Sequence, residues 1–240
     1  MAVTLPRRRN MKKLGIIGGL GPESTIDYYR SLIQIWREQT KDGSSPAIVL
    51  NSIDLKKMLD LIAANELSEV IEYLADEVQR LARAGADVGL LAANTPHIVF
   101  DELQRRSSIP LISIVEATRE AAEELGLRRL GLFGTRFTMQ GHFYPDVFSK
   151  AGIVLVVPEE NEQAYIHDIY MNELVKGVFL PETRERLLAI VERLAKQEHA
   201  QGLILAGTEL PLILREAGSG IPFLDTTQIH VKAALRRLLS

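Results

Sequence analysis

A chain of 240 residues, 46% hydrophobic and 25% charged, holds enough apolar material for one large domain or two smaller ones, and its net charge of -3 gives no footprint for nucleic acid. No apolar run approaches the ~20 residues that span a bilayer, and MAVTLPRRRN lacks the apolar segment of a secretory signal, so no membrane partner and a cytoplasmic location are expected. The absence of cysteine excludes disulfides, thiolate metal sites and thiol nucleophiles.

In chain order, Arg7 to Arg9 read as part of a flexible leader over residues 1–10, with the fold starting at Met11. Short apolar runs then recur: LGIIG from Leu14, AIVLN from Ala47, VGLLAA from Val88, PLIS from Pro110, LGLFG from Leu130, IVLVV from Ile153, LILAG from Leu203 and PFLD from Pro222. Segments such as LSEVIEYLADEVQRLARAGA and ETRERLLAIVERLAKQEHAQG lie between them. Their Leu, Ile and Val recur three or four apart and they close on Gly, which predicts amphipathic helices. Continuous apolar strands alternating with helices predict an α/β fold of parallel sheet covered on both faces.

A repeat runs through these segments. LGIIGGLGP matches LGLFGTRFT with Gly18 on Gly134, LLAANTPH matches LILAGTELP with Ala93 on Gly207, and IPLISIVEAT matches IPFLDTTQIH with Pro110 on Pro222. Matches in the same order at nearly constant offset predict two pseudo-symmetric, Rossmann-like halves, residues 11–115 and 116–224, with a ligand cleft between them. The closing helix, residues 225–240, is expected to pack back on the first half.

The matched motifs are strand ends, where open parallel sheets bind ligands. Asn94 or Thr95 is placed to cap the helix that Pro96 begins. Thr208 has the same place before Pro211, so each wall would offer an anion site suited to a small carboxylate. His97, in the first helical turn, could face the cleft and titrate near neutrality, or pack within its helix. Glu209 stands at a helix start as a candidate base, or as compensation of the dipole. Ser52, Thr135 and Thr138 follow strands and are candidate ligand contacts or loop hydroxyls. Tyr165, His167 and Asp168 lie in EQAYIHDIYMNEL, either at the cleft or on a solvated helix face. GGLGP lacks the GxGxxG order and has no P-loop Lys, which leaves a tight turn lining the cleft. His142, His199 and His230 have no metal-ligand spacing, so no metal is expected. Trp36, in YYRSLIQIW, is read as core or dimer interface.

GGLGPEST, AANTPH, GTELPLI and the closing DTTQIH together resemble the motifs of the aspartate/glutamate racemase family, from Met11 to the end of the chain. The resemblance implies two α/β halves, a homodimer, and inversion at the α-carbon of aspartate or glutamate without pyridoxal phosphate, metal or other cofactor. It also implies one cysteine before the Asn-Thr of the first motif and one before the Thr-Glu of the second. Ala93 and Gly207 stand there instead. By the same resemblance Asn94, Thr95, Thr208 and Glu209 are substrate-binding positions. Ser52, Thr135 and His167 are further binding candidates, and Glu209, His97, Thr95 and Thr208 are candidates for proton transfer. Three readings stay open: a racemase or epimerase without thiols, a lyase or isomerase with one proton-transfer group, and a carboxylate-binding pseudoenzyme.

Overall fold

The computed structural model describes residues 11–214 and 220–240; the leader expected over residues 1–10 lies outside the described residues. The first half runs β1 (Leu14–Gly18), α1 (Pro22–Thr40), β2 (Ile48–Ser52), α2 (Leu55–Ala63), α3 (Leu67–Arg83), β3 (Val88–Leu91), a 3-10 turn (Thr95–Val99), α4 (Phe100–Arg106) and β4 (Leu111–Ile112). The remainder runs α5 (Ile114–Glu124), β5 (Arg129–Gly134), α6 (Arg136–Gln140), α7 (Phe143–Ser149), β6 (Val154–Val156), α8 (Glu160–Asn172), a 3-10 turn (Leu174–Lys176), α9 (Pro181–Gln197), β7 (Gly202–Ala206), α10 (Leu210–Leu214), β8 (Phe223–Asp225) and α11 (Thr226–Leu239).

Two four-stranded parallel sheets result, ordered β2-β1-β3-β4 and β6-β5-β7-β8, so the α/β architecture read from strand–helix alternation is present in both halves. The central strands β1, β3 and β7 are buried along their length, as strands covered on both faces must be. Period-two alternation divides each sheet's side chains between two cores. Ile17 and Leu91 meet Leu74, Val78 and Leu81 of α3, whereas Leu14, Ile16 and Leu90 meet Leu32 and Trp36 of α1. In the second sheet, Phe133 and Leu205 meet α8 and α9 through Ile166 and Leu187, while Leu132 and Ile204 meet Ile114 and Phe148 on the other face.

The last helix, α11, crosses back: its Val231, Ala234, Leu235 and Leu238 are buried in the first sheet's core. Trp36 is core, 2% exposed, and its indole N–H donates to Ser44 at 2.9 Å. The matched glycines have a shared steric reason. A Cβ would lie 2.5 Å from Thr25 Cγ2 at Gly18 and 2.8 Å from the Ala206 carbonyl oxygen at Gly134, so neither strand end tolerates a side chain. Among the described residues no helix is long and apolar enough to cross a membrane.

Candidate active site

The carboxyl ends of β1, β3, β5 and β7 open onto one cavity of about 50 Å³ between the halves. Ala93, Asn94 and Thr95, just beyond β3, supply one wall, and Gly207, Thr208 and Glu209, just beyond β7, supply the other. The turn after β1 closes the cavity through Gly21, whose φ of 118° suits glycine and brings the backbone close to Glu209; a Cβ there would lie 3.3 Å from Glu209 Oε1. Ser24 Oγ ties the same turn to the Ala92 carbonyl at 2.9 Å.

Neither expected helix cap forms. Asn94 already has helical backbone angles (φ -82°, ψ -48°) and makes no capping bond, and it leads into a 3-10 turn before α4. Its amide is engaged elsewhere: Tyr144 Oη donates to Asn94 Oδ1 at 2.6 Å, and Asn94 Nδ2 donates to Thr226 Oγ1 at 3.2 Å. Asn94 therefore fastens its wall to α7 and α11, although it also lines the cavity. Thr208 Oγ1 donates to Glu209 Oε2 at 2.7 Å, and α10 is only five residues long. The two-walled anion site read from the motifs is thus replaced on the second side by a carboxylate.

That carboxylate has a second partner that the motifs did not point to. Tyr170, on α8, also donates its hydroxyl to Glu209 Oε2, and no described residue donates to Oε1. Tyr170 lies where a side chain on Gly207 would go: a Cβ at Gly207 would be 2.5 Å from Tyr170 Cε2 and 3.1 Å from its hydroxyl oxygen. The glycine and the tyrosine are complementary. Burial, then the adjacent Glu209 carboxylate, pushes the Tyr170 phenol well above its ordinary range, so it is a proton donor at neutral pH. The available signal was Gly207 itself, since a missing side chain in a closed site has to be filled from elsewhere.

Thr95 of the first wall meets hydroxyls that follow β5 in the second half. Thr95 Oγ1 lies 3.3 Å from Thr135 Oγ1, which lies 3.2 Å from Thr138 Oγ1. Of the candidates read from sequence, Asn94, Thr95, Thr135, Thr208 and Glu209 therefore line one cavity, whereas Ser52, His97 and His167 do not. Ser52 is exposed at the end of an edge strand. His167 is half-buried against Phe137 and accepts from the Arg136 backbone N–H at 3.3 Å; burial and the Arg136 charge lower its pKa. Tyr165 lies under the Arg186 guanidinium at 3.7 Å, and Asp168 accepts from Asn172 within α8.

His97 packs within the protein instead of facing the cleft. Its ring stacks on Phe100 at 4.9 Å, lies 6.3 Å from the His230 ring, and its Nε2 accepts from the Ile114 backbone N–H at 3.2 Å. Burial lowers its pKa from 6.5 to about 3, with His230 adding to the effect, and burial lowers His230 to about 4. A histidine held neutral at pH 7 in this way is no proton carrier there. Both folded values lie below the unfolded 6.5, so the linked stability is fully present above pH 6.5 and is lost as the pH falls toward 4 and then 3. Each histidine should cost up to about 1.4 kcal/mol per pH unit in that window. Melting temperature should accordingly fall between pH 6.5 and 4.5, and a flat profile over that range would contradict the burial of the pair as neutral rings.

Electrostatically the cavity is one-sided: among the described residues that line it, Glu209 is the single acid and there is no Lys, Arg or His. Among the described residues no three His, Asp or Glu side chains gather as metal ligands.

Comparison with known proteins gives a consistent result. A profile of the Asp/Glu/Hydantoin racemase family matches residues 17–234. The broad specificity amino-acid racemase RacX of Bacillus subtilis is 25% identical over 232 residues, covering 95% of this chain and 98% of that protein. A solved structure described as an aspartate racemase homologue, from Pyrococcus horikoshii, superposes with a TM-score of 0.84 at 34% identity, covering 96% of this chain and all of that one. The aspartate racemase of Picrophilus torridus, at 23% identity, a TM-score of 0.76 and coverage of 95% and 94%, shares the fold.

Proposed function

Because the chain belongs to the Asp/Glu/Hydantoin racemase family, we propose that it moves the proton on the α-carbon of an amino acid, with Glu209 as the proton-transfer group of a wall that also holds Thr208 and Tyr170. The observation that carries this reading is the Tyr170 hydroxyl lying in the side-chain space of Gly207 and donating to Glu209. The family's two thiols are absent, but one wall keeps a buried acid/base set. In keeping with the family resemblance, the reaction uses neither pyridoxal phosphate nor metal.

In the reading we favour, Glu209 Oε1 takes the α-hydrogen as a proton. The electron pair left on the α-carbon delocalises into the substrate carboxylate, where the Thr95 and Thr135 hydroxyls stand as donors. Tyr170 and Thr208 hold Oε2, so the carboxylate presents its other oxygen to the cavity. Return of a proton from Glu209 restores the starting configuration with exchange of the hydrogen. Inversion needs a donor on the opposite wall, where Ala93 has none and the Thr95–Thr135–Thr138 hydroxyls offer the polar route.

Exchange of the α-hydrogen for deuterium is therefore expected to outpace inversion, measured together by proton NMR and chiral chromatography in D2O. Tyr170→Phe should slow that exchange by roughly 10- to 100-fold, the loss of one hydrogen bond to a charged group. Inversion keeping pace with exchange would mean that a second proton carrier serves the Ala93 wall. Absence of exchange with every amino acid would leave the carboxylate-binding reading in its place. An acidic substrate draws less support than proton transfer itself, since no described cation lines the cavity to meet a second carboxylate.

A further inference from the structure

We propose that this cavity selects an amino acid with a short, uncharged side chain, and that its own wall excludes aspartate and glutamate. The inference rests on the amino-acid reading above and adds the substrate class. Beyond the polar groups at the strand ends, the lining is apolar: Leu20, Leu55, Met58, Leu59, Met171 and Val175. Each half contributes in the same way, through the helix after its edge strand. Leu55, Met58 and Leu59 come from α2 after β2, and Met171 and Val175 come from the end of α8 and the turn beyond it, after β6. Pseudo-symmetry thus places a thioether and aliphatic side chains on both sides of the space left for a substrate side chain.

Charge and size lead to the same class. A bound amino acid brings an ammonium, whose charge the Glu209 carboxylate balances across the cavity, and an α-carboxylate, which the Thr95 and Thr135 hydroxyls can meet. A second carboxylate would lie against leucine and methionine with no cation among the described lining residues and with Glu209 repelling it, a desolvation cost and a like-charge cost together. The free space, about 50 Å³, corresponds to roughly three to five water molecules. It admits the amino-acid frame with a short aliphatic extension, and the flexible methionines allow small differences of shape.

The test measures binding by calorimetry on the intact protein, independently of turnover, for alanine, 2-aminobutyrate, norvaline, aspartate and glutamate. The uncharged set should bind at least about ten-fold more tightly than the acids. A smaller ratio, the reverse order, or no binding of the uncharged set overturns the inference. Deuterium exchange on the same panel tests the proton-transfer reading separately, because binding in the expected order without exchange would sink that reading alone. Leu59→Lys, which places a cation on the wall at a half-buried position, should raise glutamate affinity relative to norvaline. An unchanged ratio in that variant, when folded, would show that the wall does not exclude the acid and would also overturn the inference.

Discussion

Glu209→Gln is expected to slow α-hydrogen exchange by about 10²- to 10⁴-fold, the range lost with a general base. The substitution is nearly isosteric, and its amide oxygen can still accept from Tyr170 and Thr208, so the wall should keep its shape. Glu209 is 3% exposed, and removing its charge from a cavity with no cation among its described lining residues should leave the melting temperature unchanged or raise it. A slow, well-folded variant would assign the loss to proton transfer. A fully active one would reduce Glu209 to a structural partner of Tyr170 and move the search for a base to groups outside this wall. The exchange rate should be measured on the amino acid that the wild-type protein turns over fastest, in the same D2O experiment as Tyr170→Phe.

Gly207→Cys should be the more damaging substitution for the fold. The backbone angle at Gly207 is not in the left-handed region, so the obstacle is room: the new Cβ would come within 2.5 Å of Tyr170 Cε2. Displacing a buried ring that also holds Glu209 should cost about 1 to 3 kcal/mol, as overpacking of a closed interior does, and should disturb proton transfer with it. Placing a thiol at Gly207, where the family resemblance implies a cysteine, therefore requires a second change. Tyr170→Ala together with Gly207→Cys clears the ring, so the pair should cost less stability than the sum of the two single substitutions. Melting curves of the wild type, both single variants and the double variant check this; equal stability of Gly207→Cys and wild type would mean that Tyr170 moves aside at no cost. Ala93→Cys has no comparable obstacle, since Ala93 already faces the cavity, and should be tolerated.

Much of this architecture was legible in the amino-acid sequence, for local reasons. Each apolar run named from Leu14 to Pro222 became a strand, because a strand buried on both faces must be continuously apolar and the helices between must carry one apolar stripe. The internal repeat foretold the matched strand orders of the two sheets. Thr95, Thr135, Thr208 and Glu209 could be assigned to the cavity because they lie just past strands, and parallel sheets open their ligand sites at those ends.

Sequence alone could not decide where side chains turn once those ends are in place. His97 sits two residues past Thr95, yet one step around a tight turn sends its ring to Phe100 and His230 and away from the cavity. Asn94 looks like a cap in its local context, but its amide is claimed by Tyr144 and Thr226, 50 and 132 residues away. Tyr170 sits in an ordinary helical segment and becomes part of the wall only because α8 sets its ring against Gly207. Periodicity and turn chemistry are recorded within a few residues of chain, so the sequence by itself determined the two-sheet architecture and the strand ends that bear the polar groups. Hydrogen bonding and close packing between distant segments decided which of those groups share the cavity, and that Tyr170 fills the side-chain space of Gly207 and donates to Glu209.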